Sequence, residues 1–318
     1  TAGTEVRCSS IDFMAGHTEE STQVQRSEPI LRGWRGYAPL LFLPVAVFLL
    51  TPATWPRWAF MWLLALSIYA GCKWLTWRRA RVSGVPPWRQ AGYLLLWPGM
   101  DAAAFLLPST ITAAPPATEW FSALGKTLLG AAIFFGLARR LPHEAAYLTG
   151  WVGMIGAVFM LHLGSFHVAS CAWRAVGVDA RPLMNRPLVS VSLGEFWGGR
   201  WNTAFRDLAY RFLFRPLARR FGPRGAVLAG FFISGLIHDL VISVPAGGGY
   251  GGPTFFFLVQ AVGIVTERSG FGRTIGLRNG ARGWAFTTCM LTAPACALFH
   301  PPFVLRTVVP FMQAVHAI

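Results

Sequence analysis

The chain has 318 residues, 54% of them hydrophobic and only 13% charged, with 14 tryptophans and several apolar runs of membrane-spanning length. This excludes a soluble fold and points to an all-α, multi-pass integral membrane protein. The 28 Lys and Arg outnumber 13 Asp and Glu and cluster at the ends of the apolar runs. That is a topology signal, not a nucleic-acid patch, so no nucleic-acid partner is expected, and it suits anionic headgroups or a phosphorylated substrate.

Residues 1 to 29 are polar and have no apolar core of signal-peptide type, so the expectation is a disordered tail over 1–30 and one membrane domain over 31–318. Arg32 and Arg35 precede an apolar run from Tyr37 to Leu50, closed by Thr51-Pro52. A second run, Trp58 to Trp77, ends in Arg78 and Arg79, and the two make a helical hairpin with basic ends on the cytoplasmic side. Residues 91 to 107 are apolar but hold Pro98, Gly99 and Asp101; keeping Arg139 and Arg140 cytoplasmic after the run Trp120 to Leu137 requires 91 to 107 to cross. The next run spans Ala145 to Leu163. If it crosses fully, Arg215, Arg219, Arg220 and Arg224 fall on the wrong side. Either 145–173 doubles back or something between 174 and 224 dips into the membrane, which irregular backbone does only where it is buried or lines a cavity.

From Trp197 the large apolar residues fall at Trp201, Phe205, Leu208 and Phe212, with Arg200, Thr203, Asp207 and Arg211 opposite. The spacing predicts an amphipathic helix lying along the membrane surface, with Trp201 and Phe205 buried and Asn202 at the border of its faces. The run from Gly225 to Val244 is about 20 residues, or about 30 Å of helix, and should span. His238 and Asp239 lie well inside it, where an ionisable side chain is costly unless it faces a cavity or a partner. Gly230, Ser234 and His238 share one small, polar face, as the wall of an intramembrane cavity would; a histidine bonded to a neighbouring helix is the plainer alternative. Asp239 is turned about 100° from His238, which argues against a simple His-Asp dyad and for a helix–helix polar bond.

The glycine-rich stretch 247–252 lacks the Lys-Ser/Thr of a phosphate loop and reads as a turn. Residues 254–266 form a short span, and 284–299 with 303–318 a last pair around Pro301-Pro302, for about eight spans in all. Cys8, Cys72, Cys171, Cys289 and Cys296 include no Cys-x-x-Cys pair, so neither a disulfide framework nor a zinc site is indicated. His162 and His167 are five apart and turned away from a shared helix face, so no metal pair is expected there.

The string Ser-Leu-Gly-Glu-Phe-Trp-Gly-Gly-Arg-Trp-Asn at 192–202, followed by Ser-Gly-Leu-Ile-His-Asp-Leu at 234–240, resembles the membrane-bound O-acyltransferase superfamily and most closely its wax-synthase-like branch. That branch looks like Ser-Leu-x-x-Phe-Trp-x-x-Arg-Trp-His/Asn and then Ser-Gly-x-x-His-Glu. The likeness extends over 187–268, with Asn185-Arg186-Pro187 upstream. It implies acyl transfer from a thioester such as acyl-CoA to a hydroxyl of a lipid or small acceptor, with His238 matching the catalytic histidine and Asn202 its second polar residue. Gly199 stands where the family often has Arg, and Asp239 where it commonly has Glu. The expected substrate-binding residues are Trp197, Arg200, Trp201, Ser234 and Asp239, with Arg200, Arg211 and Arg215 attracting the donor's phosphates. No permanently bound cofactor is expected, acyl-CoA being a co-substrate. The expected partners are membrane lipids, and the expected location is the bacterial inner membrane. The other reading is a non-catalytic subunit that keeps the fold as a scaffold or lipid- or pigment-binding component of a complex with other membrane proteins.

Overall fold

The computed structural model describes residues 36–107 and 112–318; the proposed tail over 1–30 and Cys8 lie outside the described residues. Every regular element among the described residues is helical. The principal helices are α1 (Ala38–Leu50), α2 (Arg57–Ala80), α3 (Ala117–Arg140), α4 (Ala146–Ala175), a short α5 over 193–200, α6 (Thr203–Ala246, kinked at Gly222, where φ 71° and ψ 172° leave the helical region before Pro223), α7 (Gly252–Glu267), α8 (Gly280–Leu298) and α9 (Pro301–Ala314). α2, α3, α4 and α6 are long and apolar enough to cross a membrane; α8 and α9 meet that test together, bent by 62°, while α1 and α7 are shorter apolar helices. The chain is a multi-pass helical membrane protein.

Small residues let these helices approach closely, as they do where lipid supplies no hydrophobic drive between helices. A Cβ on Gly71 of α2 would sit 2.5 Å from the Leu40 Cα of α1, one on Gly130 of α3 would meet the Met160 backbone of α4, and one on Gly235 of α6 would meet the Thr254 Cα of α7. Two arginines close the far end of α6: Arg57 donates to the carbonyls of Pro245 and Ala246, and Arg306 to that of Gly247. Cations there complement carbonyls that have no partner within the helix.

One expectation changes, and one of two alternatives falls away. Residues 91–107 do not form a spanning helix. A π-helical turn over Gly92–Leu96 gives way to extended backbone at Trp97, and a short helix, Ala102–Leu106, starts after Asp101. Lys73 of α2 donates to the Gly99 carbonyl at 2.6 Å, and Tyr93, Trp97, Met100 and Phe105 are buried against Val178, Ala180 and Leu183. The break is therefore held by protein, which is how irregular backbone survives in an apolar setting. α4 runs unbroken from Ala146 to Ala175, well past Leu163, so it does not double back. The irregular stretch falls over 176–202, within the other region that the sequence left open.

Candidate active site

The segment 176–202 is stitched into place by side chains from other elements. Ser192 caps α5 by accepting from the Glu195 N–H at 3.0 Å, and Glu195 reaches back to the Val191 N–H at 2.8 Å, a variant of the capping box. Glu267, fully buried at the end of α7, accepts from the N–H groups of Leu193 and Gly194 at 2.8 and 2.9 Å. Arg200 pairs with Glu195 through Nε at 2.7 Å and donates to the carbonyls of Asn185 and Arg186. Its guanidinium is thus committed to holding the loop. Gly199, where the family pattern often has Arg, has open space around its Cβ position.

The continuous amphipathic helix expected from Trp197 to Phe212 is interrupted. Trp201 is extended and Asn202 left-handed, with φ 44° and ψ 59°, a conformation that asparagine tolerates better than most residues. The reversal is fixed by pairing with the preceding loop. The Asn185 N–H donates to the Arg200 carbonyl at 2.8 Å, the Thr203 N–H to the Leu183 carbonyl at 3.0 Å, and the Asn202 N–H points at the Met184 sulfur. Trp197 and Trp201 therefore share no helical stripe with Phe205, which is 37% exposed instead of buried. Trp197 packs with Phe231 and Phe257 and aims its indole N–H at Gln260 Oε1, 3.5 Å away. Trp201 stacks on Phe196 and on His162. Arg211 and Arg215 are exposed, on the segment that leads into the spanning part of α6.

His238 lies on α6, half-buried, with its ring 4.3 Å from that of Phe257 on α7. Its Nδ1 is 2.7 Å from the Ser234 carbonyl oxygen. A carbonyl can only accept, so Nδ1 carries the proton and the neutral ring presents the Nε2 lone pair, the acceptor form required of a base. No described residue bonds to Nε2. Ser234 contributes its carbonyl, and Gly230, one turn before it, has open space beside it.

Asp239 turns elsewhere. Its carboxylate accepts from Ser243 Oγ at 2.8 Å, the Gly251 N–H at 2.8 Å, the Thr254 N–H at 3.0 Å and Thr254 Oγ1 at 2.5 Å, capping the start of α7 from outside. Ser243 also meets Nε2 of the buried His300 at 3.1 Å, and Gly249, at φ 74°, passes so close to the His300 ring that no side chain fits. Asp239 thus fixes the glycine turn beside the His238 helix, and all four of its bonds run to the protein. The structure brings Trp197 and His238 to the same ring, Phe257. It makes no bond between Asn202 and His238: the Asn202 side chain has no hydrogen-bond partner among the described residues.

Sequence reasoning passed over Glu267, which reads as a charge closing a span, and His300, whose position before Pro301-Pro302 suits a cap. A second polar cluster lies between α3 and α4. His167 bonds Glu119 at 2.9 Å and Lys126 at 2.8 Å, Arg174 pairs with Glu119, and the buried Cys171 is adjacent. Glu119, His167 and Cys171 offer donor atoms within 4.8 Å of one another, but two cations already engage them.

Residues 180–259 match the sequence profile of the membrane bound O-acyl transferase family, a span that holds α5, Asn202 and His238. Over that stretch the chain is similar to the membrane-bound O-acyltransferases, and relatives of the wax-synthase-like kind match it there. Among its relatives, a long-chain-alcohol O-fatty-acyltransferase of Simmondsia chinensis is 34% identical over 80 residues, 23% of each chain. A probable long-chain-alcohol O-fatty-acyltransferase 7 of Arabidopsis thaliana is 30% identical over 146 residues, 41% of this chain and 42% of the relative. An acyl-CoA–sterol O-acyltransferase 1 of the same plant is 28% identical over 71 residues, 20% of this chain and 21% of its own length. Each of these relatives is matched over less than half its length.

Proposed function

We propose that the protein moves an acyl group from a thioester donor, acyl-CoA, to a hydroxyl of a lipid or small-molecule acceptor, in the manner of wax-ester synthesis. The observation that carries this is the hydrogen bond from His238 Nδ1 to the Ser234 carbonyl, which leaves the basic Nε2 with no partner among the described residues. In the proposed reaction Nε2 takes the proton of the acceptor hydroxyl as its oxygen attacks the thioester carbonyl carbon. The carbonyl π pair moves onto oxygen. When the tetrahedral intermediate collapses, the C–S bond breaks and the thiolate leaves with the proton from the imidazolium.

Asn202 suits the carbonyl better than the histidine, because Ser234 already orients His238 and the Asn202 amide is uncommitted. Trp197 and Trp201 supply apolar wall for the acyl chain or acceptor, and Arg211 and Arg215, exposed and without a bonded partner among the described residues, suit the donor's phosphates better than Arg200. Within a bacterium the proposed location is the inner membrane, since helical spans belong there and outer-membrane proteins are barrels. The test is ester formation by purified protein in detergent with a panel of acyl-CoAs and alcohols. Acyl transfer to at least one alcohol, lost on replacing His238, supports the reading; no ester from any pair leaves the scaffold reading in its place.

A further inference from the structure

His162 is a second histidine that the proposed reaction leaves unused. It lies in the π-helical stretch Val158–Ser165 of α4. Gly156, just before that stretch, and Met160 and Gly164 within it pack on α3, through Phe134, Gly130 and Thr127. Two positions beyond Met160, His162 faces the other way. Its ring lies nearly parallel to that of Trp201, at 6.0 Å and 13°, and edge-on to Phe166 at 5.3 Å. Trp201 is followed directly by Asn202. From it a run of ring contacts passes through Phe196, Trp197 and Phe257 to His238, with successive centroids 5.6, 5.1, 5.7 and 4.3 Å apart. A continuous run of ring contacts thus links the two imidazoles, and Asn202 directly follows in sequence the ring on which His162 stacks.

Their nitrogens are arranged oppositely. His162 Nδ1 is sealed by its surroundings and bonds to no group among the described residues. A sealed N–H without an acceptor is rarer and costlier than a sealed lone pair, so the proton belongs on Nε2, which is not sealed. His238 instead has its proton fixed on Nδ1 by Ser234 and presents a lone pair at Nε2. One ring is arranged as an acceptor and the other as a donor.

We infer that His162 is a catalytic donor of the acyl-transfer site, its Nε2–H bonding the thioester carbonyl oxygen as that oxygen takes on negative charge, alongside Asn202. This rests on the acyltransferase reading above. The step consumes nothing beyond the donor and acceptor. The proton moves between the hydroxyl, His238 and the leaving thiol, while His162 stays neutral and keeps its own.

The test uses the full chain in detergent and two substitutions. His162→Phe keeps a ring against Trp201 and suits a membrane helix, but has no N–H. His162→Gln restores a donor. Loss of a donor to a developing oxyanion predicts that His162→Phe lowers kcat by about a hundredfold to a thousandfold. KM for acyl-CoA should stay within about twofold, because the bond matters only in the transition state. His162→Gln should recover about tenfold of that loss, at unchanged folded fraction. Imidazole ¹⁵N spectra, assigned by difference against His162→Gln, should show His162 protonated at Nε2.

Wild-type turnover with normal turnover in folded His162→Phe overturns the inference alone. So does a raised KM at constant kcat, a lowered folded yield at constant kcat per folded molecule, or a proton found on Nδ1. If the wild type makes no ester, the acyltransferase reading falls and this inference with it.

Discussion

The segment from 183 to 267 and the hairpin of α1 and α2 are both built from apolar helices, yet their polar side chains divide differently between bonds within a helix and bonds to other elements. In the hairpin the small hydroxyl groups bond within their own helix, Ser67 to the Leu64 carbonyl, Thr76 to that of Cys72, Thr51 to that of Val47, whereas the longer Arg57, Tyr69 and Lys73 reach carbonyls of other elements. In the site segment they bond the backbone of other elements, Glu267 at 193 and 194, Asp239 at 251 and 254, Arg200 at 185 and 186, Arg206 at Gly198. A regular helix satisfies its own peptide groups, so the hairpin needs only close packing. Irregular backbone does not, and where little water reaches it each loose N–H or C=O must find a side chain. Lys73 supports the rule from within the hairpin, because its long-range bond goes to Gly99, in the broken stretch after α2.

The largest effect on stability should follow Glu267→Ala. It strands two buried N–H groups, at about 1 to 3 kcal/mol each, and heated samples should lose their folded peak in size-exclusion chromatography well below the wild type. If the bond to α5 carries nothing, Glu267→Ala will track the wild type. Asp239→Ala removes the acceptor of four donors around the glycine turn and should cost about 2 to 4 kcal/mol by the same assay, with turnover per folded molecule changed less than by any substitution of His238. A turnover loss without instability would instead put Asp239 on the substrate. In the hairpin, Gly71→Ala presses a Cβ into the Leu40 backbone and should cost about 1 to 3 kcal/mol. Ser67→Ala, losing only a bond within its helix, should stay within about 0.5 kcal/mol. A Ser67→Ala cost matching that of Glu267→Ala would abolish the contrast.

Much of the helical frame was legible because spanning length and basic flanks are local properties. His238 and Asp239 stood out for a similar reason, as ionisable groups deep in an apolar run. The failures share a cause too. Trp197, Trp201 and Phe205 recur every four residues and imitate one stripe; the left-handed turn at Asn202 that separates them is set by pairing with Leu183 and Asn185, which no local period records. Residues 91–107 have the composition of a span, and what stops them is Pro98-Gly99 together with a lysine from another helix. Asp239 was placed both as a helix–helix bond and as a substrate ligand, and only its four partners distinguish the two. His162 looked like half of a poor metal pair because its significance lies in which nitrogen is sealed, a property of the fold alone.

The central claim is that His238 acts as the base, held in its acceptor form by Ser234, while Asn202 acts on the carbonyl. The most direct test is turnover per folded molecule for His238→Ala, Asn202→Ala and the double variant. His238→Ala should lose about a hundredfold to ten-thousandfold, Asn202→Ala less, and the double variant little more than His238→Ala alone, with folded fractions unchanged. Near-normal turnover in well-folded His238→Ala would contradict the account and leave the protein a membrane scaffold.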